Sequence, residues 1–183
     1  MKKNILITML VLLMTGCATK SHYYVLSTAM QPSHVTPSTK SIGVAQVILP
    51  SYMDKRQLTI ASSGNQITQL DSVLWAEDID IGLTQRLISF LQKKFEQPNV
   101  FAYPWGVDRQ PDIQVKLQIN RFLAQGDKVY LDANYLIIDT KGHTSHAYLF
   151  NTTLKTSSEP SAIVNTMDNA FGKLEEDIAD KIK

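Results

Sequence analysis

The stretch from Ile113 to Leu154 constrains this chain most. Ile113, Val115, Leu117 and Ile119 alternate with Asp112, Gln114, Lys116, Gln118 and Asn120. A period of two buries one face of a β-strand and leaves the other wet. Gly126–Asp127 reads as a turn, Val129–Asp139 as a second strand, Thr140–His143 as another turn and His146–Leu154 as a third strand. Three strands joined by short turns make an antiparallel meander. One of its faces is strongly apolar, so the rest of the chain must supply a cover.

Two segments have the periodicity to do so. Ile79, Leu83, Leu87, Leu91 and Phe95 recur every four residues, with Ile88 beside Leu87. That spacing predicts a helix with one apolar stripe, opened by Asp78 or Asp80, finished by Lys93 and Lys94, and stopped before Pro98. Near the end of the chain, Ile163, Met167, Ala170 or Phe171, Leu174, Ile178 and Ile182 form a second stripe. Pro160 stands in its first turn, with Ser158 or Glu159 as the cap. Asp168, Glu175, Glu176, Asp177 and Asp180 give this helix a mostly solvated acidic surface, and Gly172 lies within it. Upstream, His22–Ser27, Ile42–Leu49, Gln57–Ser62 and Gln66–Leu70 read as strands, the last two forming a hairpin around Ser63–Asn65. Met30–Lys40, with two prolines, reads as a loop. Strands, helix, strands, helix is the order of an α+β domain: a mainly antiparallel or mixed sheet with two amphipathic helices packed on one face.

The first twenty residues carry a different message. Lys2 and Lys3 precede the apolar run Ile5–Met14, which Thr8 alone interrupts. Thr15, Gly16 and Cys17 follow, and Cys17 is the chain's one cysteine. The apolar run is about half the ~20 residues a spanning helix needs. A basic start, a short apolar core and small residues at the end make a secretory signal peptide. The segment resembles the lipobox of bacterial lipoproteins, with Met14 where leucine usually stands three places before the cysteine. That resemblance implies a covalent lipid on the Cys17 sulfur and cleavage before it. Residues 1–16 are then the signal peptide, 17–22 a lipidated end with a short tether, and 23–183 a single periplasmic α+β domain. Ala18, where aspartate would signal retention in the inner membrane, points to the periplasmic face of the outer membrane.

Without residues 1–16 the chain has 16 basic and 17 acidic side chains. Neither sign dominates, so nucleic acid is not an expected partner. Enzyme motifs are absent: no G-x-S-x-G, no Gly-rich phosphate loop, no H-E-x-x-H. His143 and His146 form an H-x-x-H pair, but residues three apart on a strand point to opposite faces, and no third ligand stands nearby. No metal is expected, and no cofactor beyond the lipid at Cys17. Glu77, Asp78 and Asp80 sit at a helix start, where the dipole favours acids.

Three aromatic clusters remain: Leu49–Leu58 with Tyr52 and Arg56, Leu74–Asp78 with Trp75, and Ala102–Gly106 with Tyr103 and Trp105. Trp, Tyr and Arg are enriched in binding hot spots, so Tyr52, Arg56, Trp75, Tyr103 and Trp105 are candidate partner contacts. Core packing is the competing reading, and the stronger one for Trp75.

These clusters also carry a likeness. A lipobox, Tyr24-Val25-Leu26, Ile42-Gly43-Val44 followed by Leu49-Pro50-x-Tyr52-Met53-Asp54 and Gln57-Leu58, Trp75-Ala76-Glu77 before a helix, and Tyr103-Pro104-Trp105 stand in this order. The chain thereby resembles the ABC-type transport auxiliary lipoprotein family, of the paraquat-inducible protein C type. It departs at Lys55-Arg56, where the family often has Arg-Pro, and at Asp78, where a proline often stands. The resemblance implies a non-enzymatic subunit of an MCE-type intermembrane lipid transport system that supports membrane integrity. Its partners would be an MCE-domain tunnel protein, that protein's multispanning inner-membrane component, and further copies of the chain in a ring. A stand-alone lipid-binding shuttle is the alternative, and an envelope hydrolase a third possibility.

Overall fold

The computed structural model describes residues 20–26 and 30–182. Cys17 and the signal segment lie outside the described residues. Eight strands form one mixed sheet: β1 (His22–Tyr24), β2 (Ile42–Val44), β3 (Gln57–Ser63), β4 (Gln66–Trp75), β5 (Val100–Ala102), β6 (Ile113–Gln125), β7 (Lys128–Asp139) and β8 (Thr144–Lys155). Helix α1 (Ile79–Phe95) and helix α2 (Pro160–Lys181) pack on one face. The expected α+β class, with two helices over a mixed sheet, is the observed one.

β6 is the spine. Along one edge it pairs antiparallel with the whole of β7, which pairs with β8. Its other edge is shared. β2 runs parallel to Ile113–Val115, and β3 runs parallel to Ala124–Gln125. β5 flanks β2, while β4 flanks β3 and is itself flanked by β1. The alternation that ends at Asn120 in the sequence does not end the strand. A register shift between Ile119 and Arg121 inserts one extra residue, so burial moves from odd to even positions and Phe122 and Ala124 still face the core.

On the covered face, Val115, Leu117, Ile119, Leu131, Ala133 and Tyr135 meet Leu83, Leu87, Phe90 and Leu91 of α1 and Met167, Phe171, Leu174 and Ile178 of α2; all are at most 2 % exposed. A fully buried side chain of this kind contributes ~1.5–3 kcal/mol. Tyr135 reaches through the layer, and its hydroxyl donates to Asp177 Oδ2 at 2.6 Å. Burial first, then the Asp177 carboxylate, raises its pKa.

The helix pair is held by charges that the sequence pattern assigns to solvent. Arg86 on α1 is wholly buried. Its Nε donates to both Glu175 oxygens at 3.2 Å, and Nη2 donates to Glu175 Oε2 and the Asp168 carbonyl at 3.1 Å. Nη1 donates to the Leu26 carbonyl at 3.1 Å and to the Asp168 carboxylate. The Phe171 ring lies 5.2 Å from the guanidinium. Glu175 is therefore a core residue and not part of a solvated surface. Burial pushes its carboxyl up to about 7, against the opposing pull of Arg86. Lys94, 1 % exposed, donates to Glu176 Oε2 at 2.7 Å, with the His34 ring 3.2 Å away.

The loop of residues 30–40 straps this pair. The Ser33 N–H donates to Glu176, and the N–H groups of Thr36 and Ser38 donate to the Lys94 and Phe95 carbonyls at 2.7 and 2.9 Å. Those carbonyls have no partner within the helix, as in any C-terminal turn.

Candidate docking surface

The helices leave the second face of the sheet open, and its outward positions are not uniformly polar. Antiparallel register sets Leu136 opposite Lys116 and Ala147, and Asn134 opposite Gln118 and Leu149. Beyond β2 the chain stays extended, with Ile48 bridged to Gln118. Ala45, Ile48, Leu136, Ala147 and Leu149 thus line a groove of about 470 Å³, with Lys116, Gln118 and Asn134 among them. Leu149 is 85 % exposed and Ile48 60 %. Isolated exposed apolar residues are ordinary, but a clustered set on one face marks an interaction surface. β8 adds to it. Among the described residues this edge strand pairs with β7 alone, and it has no charged residue from Thr144 to Leu154. Charged side chains and prolines are the usual guards of such an edge.

Above the groove sits the aromatic cluster of the segment after β5. Tyr103, 60 % exposed, meets the Trp105 ring edge-on at 5.0 Å, and Phe101 meets it at 6.5 Å. The Tyr103–Pro104 peptide is cis. Arg109 covers Phe101, its guanidinium 4.5 Å from the ring. Trp105 is half-buried because it lies on Gly43. A Cβ there would stand 2.5 Å from Pro111 Cγ and 2.9 Å from the Trp105 ring, so only glycine admits this packing. Below Pro111, the Asp112 carboxyl is held down to about 2 by its Lys141 partner, then by the Ser41 N–H.

The five candidate contacts therefore separate. Tyr103 and Trp105 stand together on the open face. Arg56 is exposed elsewhere, at the end of the sheet, and donates to the Ala76 carbonyl. Tyr52 is half-buried against the core, its hydroxyl accepting from the Phe122 N–H at 3.3 Å. Burial raises its pKa, partly offset by that hydrogen bond. Trp75 takes the stronger of its two readings. At 5 % exposure it belongs to the core at the end of β4, a strand that runs five residues past the expected Leu70. It offers no outward surface. Sequence reasoning also missed Ile48, Leu136 and Leu149, although Leu136 and Leu149 stand at the outward phase of strands whose inward phase is already apolar.

His143 occupies the β7–β8 turn with φ 52° and His146 is exposed on β8. No group of three or more His, Cys, Asp or Glu among the described residues could hold a metal. Asp78 stands before α1 without a side-chain capping bond, and Asp80 accepts from Gln46 Nε2 at 2.6 Å. Among the described residues no helix is long and apolar enough to cross a membrane.

A spine strand with a divided edge, two helices on one face and an apolar groove on the other define a two-layer α+β domain with an open sheet face. The chain belongs to the ABC-type transport auxiliary lipoprotein family, whose profile matches residues 24–179. Two solved structures share the fold. One is an uncharacterized protein at 20% identity and TM-score 0.75, covering 90% of this chain and 99% of that one. The other is XCC0632 from Xanthomonas campestris, a DUF330 protein, at 11% identity and TM-score 0.74, covering 87% and 93%. No curated protein matches the sequence.

Proposed function

We propose that the protein is a periplasmic subunit of an MCE-type intermembrane lipid transport system. In this reading residues 1–16 are removed, acyl chains on Cys17 fix the chain to the periplasmic face of the outer membrane, and residues from 23 onward fold as one domain. That domain receives the end of the MCE tunnel protein, whose inner-membrane component lies across the periplasm, and so supports membrane integrity. The anchor is physically sufficient. One acyl chain holds only marginally, whereas two or more hold stably. The role asks for no chemistry, only position and a surface.

The observation that carries the docking role is the apolar groove on the face the helices leave open, flanked by Tyr103, Trp105 and Arg109. Burying Leu149 and Ile48 against a partner would contribute ~1.5–3 kcal/mol each, and the aromatic pair and arginine are of hot-spot type. Several copies around one tunnel end would match the closed symmetry of a ring.

The test is crosslinking of the intact lipoprotein in whole envelopes, followed by affinity isolation. An MCE-domain protein should be recovered through the open face, and Ile48→Glu/Leu149→Glu should abolish its recovery without releasing the lipoprotein from the membrane. Equal recovery by the variant would remove the groove from the interface. Stoichiometric phospholipid with no large partner would replace docking by the shuttle.

A further inference from the structure

We infer that the tip of the β3–β4 hairpin is a second membrane contact, resting in the lipid headgroup layer beside the anchor; this rests on the reading of Cys17 as the acylated residue. β1 is parallel to β4, with His22 opposite Val73 and Tyr24 opposite Trp75. A chain continued in line upstream of His22, through Ser21 and Lys20, heads toward the hairpin turn at Gly64–Asn65, the end at which β4 begins. Cys17 lies five residues before His22, so the anchor is at most ~18 Å from the start of β1. Gln57 pairs with Leu74 and Leu58 with Leu70, which sets Val73 level with the start of β3. From Leu58 to Gly64 is six residues, about 20 Å of strand. The hairpin therefore spans the whole height that the tether allows.

Composition agrees with the placement. No residue from Gln57 to Leu70 is charged, and Ser62–Gln69 are exposed, Ile67 among them at 44 %. Such a surface gives up no ion hydration on entering the headgroups. It stops there because, among the described residues, no strand pairs with the outer edge of β4 before Val73, and an open strand edge is excluded from hydrocarbon. The β6–β7 turn lies at the same end, since Ala61 pairs with Gln125. It brings Asp127 and Lys128, with Lys155 opposite Lys128, and Glu159 follows before α2. Lys20 lies on the tether. Three cations against two acids suit an anionic surface. The other end of β4 meets Asp54, Glu77, Asp78 and Asp80, with Lys55 and Arg56, a net acidic set that an anionic surface repels. The contact also orients the domain. Trp105 lies on Gly43, level with Gln114, eleven residues of β6 from Gln125. That is about 36 Å, so the aromatic end of the docking face stands away from the bilayer.

The experiment uses the full lipidated protein in phosphatidylethanolamine–phosphatidylglycerol vesicles that contain a nitroxide-headgroup lipid. Ser63→Cys and Ser145→Cys are each labelled with an environment-sensitive maleimide dye. An acylated Cys17 does not react, so the parent chain should take up no dye and should float with the vesicles. Dye at position 63 is expected to be quenched several-fold more than dye at 145, which lies at the opposite end of the sheet. If the protein floats and position 63 is quenched no more than 145, the hairpin contact is overturned and the anchor stands. If the parent chain labels at Cys17 and stays in solution, the anchor reading fails and the hairpin contact falls with it.

Discussion

Replacing Arg86 by methionine tests how the two helices are joined. The guanidinium is wholly buried, and four acceptor groups converge on it: the Glu175 and Asp168 carboxylates and the Leu26 and Asp168 carbonyls. Methionine fills much of the volume but leaves Glu175, also 0 % exposed, without its cation. Removing one partner of a buried pair costs about 3–5 kcal/mol, a large part of the ~5–15 kcal/mol of a typical domain. Replacing Glu175 by leucine as well removes the stranded carboxylate. Asp168 is a third exposed and can turn to water. The remaining cost is then the orphaned carbonyls, ~1–3 kcal/mol. Urea unfolding above pH 7, where Glu175 is ionised in the parent, of the parent, Arg86→Met, Glu175→Leu and the double variant, fitted with a common slope, gives the coupling directly. The double variant should be more stable than Arg86→Met. A double variant as unstable as the sum of the two singles would refute the reasoning, since the cost would then come from packing and not from an uncompensated charge.

Two further predictions follow from the same geometry. Glu175 titrates near 7 in the folded chain against an ordinary value of 4.5; the folded state binds the extra proton, so this contribution is complete below 4.5 and is lost as pH rises toward 7. Thermal unfolding across that window should show a downward slope for the parent that Glu175→Gln lacks; equal slopes would assign the pH dependence to other groups. Gly43→Ala drives a methyl into Pro111 and Trp105, both rigid, and should cost ~1–3 kcal/mol with a red-shifted tryptophan emission; an unshifted spectrum would mean that Trp105 does not depend on Gly43.

What was legible in the sequence was whatever repeats locally. The four-residue spacing from Ile79 to Phe95 and the alternation from Ile113 to Ile119 each reflect a neighbour a few residues away, and both elements stand where that spacing puts them. The division of the β6 edge between β2 and β3 was not legible, because pairing across 71 residues leaves no periodic trace. Nor was the burial of Arg86, Lys94 and Glu175. A charge on a helix reads as solvated until its partner on another helix is known. The candidate surface was half legible. The Tyr103–Trp105 cluster is a local run, whereas the groove combines Ile48, Leu136 and Leu149 from three separate strands. Trp75 went to the core because β4 carries it there.

The buried ion pair also dictates an order of events. Arg86 and Glu175 are 89 residues apart, and the partners of Lys94 and Ser33 lie on the same late helix. Until α2 has docked, Arg86 has no buried counter-ion, the inner face of β6 and β7 has half its cover, and the strap at Ser33 has nothing to grip. Contacts this distant form slowly, and the chain waits for them with apolar surface open to aggregation. The last helix to arrive locks the strap of residues 30–40, and a chain nicked or stalled before Pro160 would leave Arg86 and that strap without their partners.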